Sequence, residues 1–265
     1  MLSFSRIAVV SLVALTGLGA AMPAQAAITT FANFTGIDQS SGVRFKNNGT
    51  NASNGTGGSL YTIASQTATT PGTRQVKFSF LIPALQAAVS NVTANFTLLA
   101  NTVTPASTFN GFKIQPNLSG GFSFLSASAL TVGSTTYAAG SNLLSGTFND
   151  VTISGQTNAT SAGFGGSTGG GATILFTSDF VSFAPGSEFD LSVSLTSLTP
   201  VLTSTAGTAL RTFRAYSTGS FSAEPAPMAN GVPEPSVWGL MIVGFGLVGI
   251  QARSRYRSGT KAVAA

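Results

Sequence analysis

Apolar and polar residues alternate with a period of two along much of the chain. Val76, Phe78 and Phe80 alternate with Lys77 and Ser79. A two-residue repeat places successive side chains on opposite faces of a strand, with one face directed to a core. The same spacing recurs in segments 92–98, 172–176, 189–195 and 213–221. The pattern therefore predicts several β-strands, each buried on one face.

Turn-forming residues separate these predicted strands. Gly, Ser, Thr and Asn interrupt every helical stretch except 83–90, which predicts one or two turns of helix. Segments 47–59 and 162–171 are rich in Gly, Asn and Thr and predict two mobile loops. Short strands with frequent turns are typical of an all-β domain, here an antiparallel β-sandwich or a jelly roll. Most of the 20 phenylalanines follow the alternation and are predicted to form its core.

The N-terminal residues have the pattern of a secretion signal. One positive charge in residues 1–6 precedes a short apolar stretch, and Ala24-Gln25-Ala26 forms a small-x-small cleavage site. We predict a signal peptide over residues 1–26 and a mature chain that begins at Ala27. The alternative is an N-terminal membrane helix, which Gly17, Gly19 and Pro23 disfavour. Either segment would lead to export.

A second apolar segment lies near the C-terminus. Residues 236–252 carry no charge, and 17 residues in a helix span roughly 25 Å, just enough to cross a bilayer core. Trp238 lies where an interfacial aromatic residue would anchor one end, and Arg253, Arg255 and Arg257 follow the other. The positive-inside rule keeps such arginines in the cytoplasm. We predict a transmembrane helix at about 237–252, a basic end at 253–257 and a cytoplasmic extension at 258–265.

A short proline motif precedes this segment. Pro233 and Pro235 lack amide donors and fix the backbone in an extended form, and Glu234 adds a negative charge. Together with Trp238, the motif resembles the Pro-Glu-Pro-x-x-Trp variant of the PEP-CTERM tail of Gram-negative surface proteins. The resemblance covers about the last 35 residues of the chain. It implies recognition by exosortase, a membrane-embedded processing enzyme, and an association with exopolysaccharide or biofilm.

These signals divide the chain into segments. Between the signal peptide and the tail we predict an all-β ectodomain at 27–222 and a linker at 223–232, which contains Pro225 and Pro227. The sorting tail follows at 233–257. The predicted partners are signal peptidase and exosortase, which process the chain, and the inner membrane, which tethers the precursor. The predicted final location is the cell surface or the extracellular space.

Charge and composition narrow the function of the ectodomain. Its seven basic residues and six acidic residues nearly cancel, and no basic cluster is visible along the sequence, so nucleic-acid binding is not indicated. The chain has no cysteine and no histidine, which excludes disulfides, thiol chemistry and Ser-His-Asp sites. The basic residues are Arg44, Lys46, Arg74, Lys77, Lys113, Arg211 and Arg214; the acidic ones are Asp38, Asp150, Asp179, Glu188, Asp190 and Glu224.

The remaining chemical motifs are weak. Glu188 and Asp190, with Asp179 nearby in sequence, could be paired carboxylates or calcium ligands, but scattered carboxylates are more often solvated strand ends. The glycine run at 163–171 lacks the lysine of a phosphate-binding loop. We therefore predict no catalytic residue, no metal site and no cofactor.

One predicted strand also has a polar outer face. Thr93, Asn95 and Thr97 are uncharged and could hydrogen bond to a polysaccharide or to another sheet. We predict a non-enzymatic surface or matrix protein. The alternative is a surface-anchored module that binds glycan or ice. The mature domain has no Trp to stack on sugars, and Asn95 interrupts the threonine row that an ice-binding face would require.

Overall fold

The computed structural model describes residues 28–38, 40, 42–49 and 57–230. These residues form sixteen strands, one turn of α-helix and one short 3₁₀ helix. The strands are β1 Thr29–Gly36, β2 Val43–Asn47, β3 Gly58–Thr62, β4 Arg74–Phe80, β5 Val92–Thr102, β6 Ser107–Phe109, β7 Phe112–Ser126, β8 Leu130–Val132, β9 Thr135–Tyr137, β10 Asn142–Gln156, β11 Ala162–Ser167, β12 Thr173–Thr177, β13 Val181–Ser182, β14 Glu188–Thr199, β15 Phe213–Glu224 and β16 Met228–Ala229; α1 is Pro83–Gln86 and the 3₁₀ helix is Thr168–Gly170.

The strands predicted from alternation are confirmed. Strands β4, β5, β12, β14 and β15 coincide with the five segments that show the two-residue repeat, and the apolar residues on their inward faces are buried. In β5, Ala94, Phe96 and Leu98 point into the core, whereas Thr97 and Leu99 are exposed. The predicted helical turn is also confirmed as α1, which begins at Pro83, where a missing amide proton costs nothing.

Twelve strands join into one antiparallel sheet that closes on itself. The circuit runs β1, β4, β5, β7, β10, β11, β14 and β15, and β15 pairs back to β1. Strands β2 and β3 pair with each other and connect β15 to β5, while β12 pairs with β10 and β6 pairs with β7. The prediction of an antiparallel all-β domain is therefore confirmed. Alternation cannot distinguish two stacked sheets from one closed circuit, because one face of each strand is buried in both.

The core is a connected group of aromatic rings inside the circuit. Phe124 lies at its centre, with its ring stacked on that of Phe96 at a centroid distance of 4.5 Å. Phe34 and Phe221 also contact the Phe124 ring, at 4.9 and 5.6 Å. The rings that are connected by such contacts are Phe31, Phe34, Phe78, Phe80, Phe96, Phe122, Phe124, Tyr137, Phe176, Phe180, Phe183, Phe189 and Phe221.

The loop prediction for 162–171 is wrong. Residues Ala162–Ser167 form β11, which pairs with β10 on one side and β14 on the other. The glycines serve close packing rather than mobility, since a Cβ at Gly165 would lie 2.1 Å from the carbonyl oxygen of Leu191. The other predicted loop, 47–59, contains the last residue of β2 and the first two of β3, and its residues 50–56 lie outside the described part.

The folded domain extends further than the predicted boundary at residue 222. Ala223 and Glu224 belong to β15, and Met228–Ala229 form β16, which pairs with β13. Asn230 is also held, because its backbone N–H donates to the Phe180 oxygen at 2.7 Å and its side-chain amide donates to the Asp179 oxygen at 3.0 Å. Most of the predicted linker at 223–232 is thus part of the fold. We call β13, β16 and Asn230 the C-terminal clasp.

The two ends of the circuit differ in what they carry. Alternate strands run in the same direction, so β7 and β15 begin at the same end. The hairpin of β6 and β7 lies at that end, which we call the hairpin end. The clasp lies at the other end of the circuit. Its residue Asn230 donates a hydrogen bond to the Asp179 backbone oxygen, and the Asp179 carboxylate accepts one from Asn142 at the start of β10. We call this the clasp end. Strand β7 has 15 residues and spans roughly 45 Å between them.

Candidate functional site: an uncharged groove and a basic hairpin end

A groove lies on the outer face of β5, β7, β10 and β12. Its volume is about 690 Å³. Across the groove, Gly121 lies opposite Leu99 on one side and Thr147 on the other, and Thr147 in turn lies opposite Leu175. Leu99 and Leu175 are exposed. The hydroxyl residues that line it are Thr62, Thr73, Thr97, Ser123, Ser145, Thr147 and Thr177. No charged residue lines the groove.

The strand register explains this composition. Thr97 lies opposite Ser123, which in turn lies opposite Ser145, and Ser145 lies opposite Thr177. The Thr97 and Ser123 hydroxyl oxygens are 2.7 Å apart and hydrogen bonded. Neutral hydroxyls can each donate and accept a hydrogen bond, and salt screens such bonds little. The groove is therefore suited to an uncharged, hydroxyl-bearing or apolar partner.

The outer face of β5 singled out from the sequence is only partly available. Thr97 lines the groove, whereas the Thr93 hydroxyl accepts a hydrogen bond from the Lys77 ammonium group at 3.0 Å. The outward row of β5 then continues through Asn95 to the exposed Leu99. This row has no regular threonine repeat.

The candidate carboxylates do not form a site. Glu188 lies opposite Glu224 in the pairing of β14 and β15, and Asp190 follows two residues later on the same strand. Asp179 has a structural role, because its carboxylate accepts the Asn142 backbone N–H at 2.7 Å. Within the described ranges, no group of three or more acidic residues is placed to hold a metal ion.

The sequence reasoning missed an exposed aromatic hairpin. Phe109 and Phe112 lie opposite each other and flank the turn Asn110–Gly111, in which both residues have positive φ values, 47° and 82°. The two rings are 67% and 45% exposed. Thr157 fixes the turn, since its N–H and hydroxyl donate to the Gly111 oxygen at 2.9 and 2.8 Å. The Asn-Gly pair between two aromatic residues is a strong hairpin signal that could have revealed it.

A pair of arginines was also missed. Arg44 on β2 lies directly opposite Arg214 on β15, although 170 positions separate them in the sequence. Both side chains are half-buried. No sequence signal could have paired them, because the register depends on long-range strand pairing.

Arg74 and Asp38 form the single ion pair among the described residues. The Arg74 Nη2 and Asp38 Oδ1 atoms are 2.6 Å apart. The Ser40 hydroxyl also donates to Asp38 Oδ1 at 2.6 Å. The hydrogen bonds from Ser40 and Arg74 favour the ionised form and hold the pKa of Asp38 below its usual value.

The predicted processing and topology residues lie outside the described part of the chain. They are Ala24, Ala26 and Ala27 at the signal-peptide site, Pro233, Glu234, Pro235 and Trp238 in the sorting motif, and Arg253, Arg255 and Arg257 at the basic end. Within residues 28–230, as far as they are described, no helix has the length and apolar character needed to cross a membrane.

Comparison with protein-family models, with curated proteins and with solved structures found no match.

Proposed function

We propose that the chain is a non-enzymatic exported protein of the bacterial cell surface or extracellular matrix. Residues 1–26 direct export, and the tail at 233–257 tethers the domain to the inner membrane until exosortase processes it at or near Pro233–Pro235. The freed domain then associates with extracellular polysaccharide. The observation that carries the proposal is the position of the sorting motif, which begins three residues after Asn230, the last described residue and one that the fold holds by hydrogen bonds.

The fold supports release of an intact domain. All sixteen strands lie before residue 230, and the clasp fixes the last of them. Cleavage at 233–235 would therefore remove no strand and no core residue of the described fold. A domain released in this way would keep its stability.

The surface supports a polysaccharide partner. The groove on β5, β7, β10 and β12 combines hydroxyl groups with the apolar side chains of Leu99 and Leu175, and no charged residue lines it. Sugars present hydroxyls at their edges and C–H groups on their faces, so both kinds of lining can be used at once. A non-enzymatic role agrees with the carboxylates, of which Asp179 is engaged in the fold and Glu188 faces another glutamate.

A glycan-binding module is the second candidate, and the same groove favours it. The ice-binding alternative is not favoured, because Asn95 and the exposed Leu99 interrupt the outward threonines of β5.

The experiment is the intact mass of the protein from membrane, outer-surface and culture fractions of its native host, with and without exosortase. We expect a form from Ala27 to near Pro235 that disappears without the enzyme. Replacing Pro233, Glu234 and Pro235 with Ala should leave export intact and trap the full-length tail in the membrane. Retention of residues 238–265 in every fraction would contradict the proposal.

A further inference from the structure

Arg44 and Arg214 form a pair of like charges on the outer face of the sheet. Their neighbours Phe45 and Phe213 point inward and stack on each other at a ring distance of 5.5 Å, so alternation directs both arginines outward. Residues directly opposite in an antiparallel pair have Cβ atoms about 5 Å apart, and like charges at that distance destabilise the pair. A bound negative charge would relieve this repulsion.

The described residues do not supply that charge. Arg74 and Asp38 form the one ion pair in this part of the chain, so neither Arg44 nor Arg214 has a carboxylate within ion-pair distance there. The Nε atoms of both arginines are buried without a hydrogen-bond partner. The Arg44 Nη1 atom reaches only the Ala68 carbonyl, at 3.4 Å. Because these Nε atoms are buried, an external oxyanion would contact the Nη groups of the two half-buried side chains, where charge-assisted hydrogen bonds can form.

The whole domain is polarised in the same sense. Basic residues gather toward the hairpin end: Arg214 is the second residue of β15, Lys113 the second of β7 and Lys46 the last but one of β2. Arg211 precedes β15 by two positions. Acidic residues gather at the clasp end, where Glu188 begins β14, Glu224 ends β15 and Asp179 bonds to the start of β10. A net charge near zero therefore conceals a dipole that orients an anionic partner toward the hairpin end.

The neighbourhood of the arginine pair is rich in neutral hydrogen-bonding groups. Lys46, two residues from Arg44 on the same face of β2, lines a groove of about 390 Å³ together with Asn48 and Asn101. The Asn48 amide donates to the Ser59 hydroxyl, which donates to the Asn101 side-chain oxygen at 2.7 Å. Amides and hydroxyls beside fixed positive charges match a chain of hydroxylated rings that carries carboxylates.

We propose that Arg44 and Arg214 bind the carboxylate groups of an acidic polysaccharide, with Lys46 beside them. This inference deepens the proposed function and depends on it for the place where the protein meets such a polymer. An arginine guanidinium presents a planar fork that fits a carboxylate through two parallel hydrogen bonds. A carboxylate held by the Nη groups of the two arginines would relieve their mutual repulsion. Nucleic acid is less suited, because it requires a track of several phosphate contacts.

The test uses the full chain, purified in mild detergent, and measures its affinity for a polyuronate, for dextran of similar size and for single-stranded DNA. Arg44→Gln and Arg214→Gln should each weaken polyuronate binding by about tenfold or more, since a charge-assisted hydrogen bond of this kind is lost. The matched control is Lys77→Gln, which removes the same charge from a lysine outside the pair and should change affinity less than about twofold. Binding should decrease as salt increases.

A second measurement separates binding from folding. Removing one of the two repelling arginines should leave the melting temperature unchanged or raise it. Added polyuronate should raise the melting temperature of the unsubstituted chain but not that of the arginine variants. Equal effects of Arg214→Gln and Lys77→Gln on polyuronate binding would overturn the proposal. Equal binding of DNA and polyuronate, with the same loss in both arginine variants, would also overturn it in favour of a general polyanion site.

The two proposals can fail separately. If no processed form exists in the host but the arginine variants lose polyuronate binding, the sorting proposal fails and the binding site stands. If the processed form exists and the polyuronate is not bound, the binding site is wrong and the sorting proposal stands.

Discussion

Phenylalanine occupies two opposite settings in this protein. Inside the circuit, Phe124 is fully buried and contacts the rings of five other phenylalanines. On the same strand, twelve residues earlier, Phe112 is exposed at the tip of a hairpin that Thr157 fixes. The first ring is held on all sides by its neighbours, whereas the second is 45% exposed. The difference shows that residue type alone does not predict whether a phenylalanine serves the core or the surface; the turn beside it does.

The largest expected effect comes from the core. Phe124→Ala should lower the free energy of unfolding by about 3–5 kcal/mol, because it removes buried apolar area and leaves a cavity among five rings. Urea denaturation of the wild type and the variant measures this difference. A loss below about 1 kcal/mol would mean that the ring group can collapse around the gap, and that it is less closely packed than the distances indicate.

A smaller effect is expected where the hairpin meets the core. Gln115, three residues from Phe112, is fully buried; its amide donates to the Thr104 oxygen at 2.8 Å and its side-chain oxygen accepts the Leu210 N–H at 3.0 Å. Gln115→Leu should cost about 1–3 kcal/mol, since the buried Leu210 N–H is left without a partner. The same denaturation experiment checks this, with Gln156→Leu, at an exposed site on β10, as the control.

The exposed ring should matter little for stability. Phe112→Ser should change the free energy of unfolding by no more than about 0.5 kcal/mol, because an exposed side chain away from packing or capping contributes little. Chemical denaturation of this variant beside Phe124→Ala gives the direct comparison. A loss comparable to that of Phe124→Ala would show that the hairpin packs on the domain in solution.

The smallest expected effect concerns the surface ion pair. The pKa of Asp38 is lower in the folded domain than the ordinary value of 3.8. The ionised carboxylate therefore stabilises the folded domain at pH values above 3.8. That contribution is lost as the pH falls through the lowered pKa. Asp38→Asn should therefore reduce the melting temperature slightly at pH 7, and this difference should shrink as the pH falls below 3.8. A difference between the two proteins that stays the same at every pH would contradict this account.

The sequence predicted the strands that show strict alternation and could not predict the rest. Phe78, Phe96 and Phe221 were correctly placed in the core because a two-residue repeat directs every second side chain inward. Strand β11 was misread, because Gly163 and Gly165 resemble loop residues until the backbone of β14 is known to pass beside them.

The candidate sites also differ in whether the sequence alone could reveal them. The exposed hairpin was readable from Asn110-Gly111, a local signal that was overlooked. The arginine pair was not readable, since only the register of β2 against β15 brings Arg44 and Arg214 together. Local chemistry can be predicted from a single sequence, whereas surfaces that are assembled from distant strands require the pairing.

The closed circuit also sets the time at which the domain can fold. Strand β15 pairs with β14, β2 and β1, and Thr29 at the beginning of the first strand lies opposite Ala223 near the end of β15. Until β15 is present, β1, β2 and β14 each lack one of their two neighbouring strands, and contacts across so great a sequence separation form late. A chain exported as proposed would therefore stay unfolded, and able to pass through a narrow channel, until nearly all of its residues had emerged on the far side.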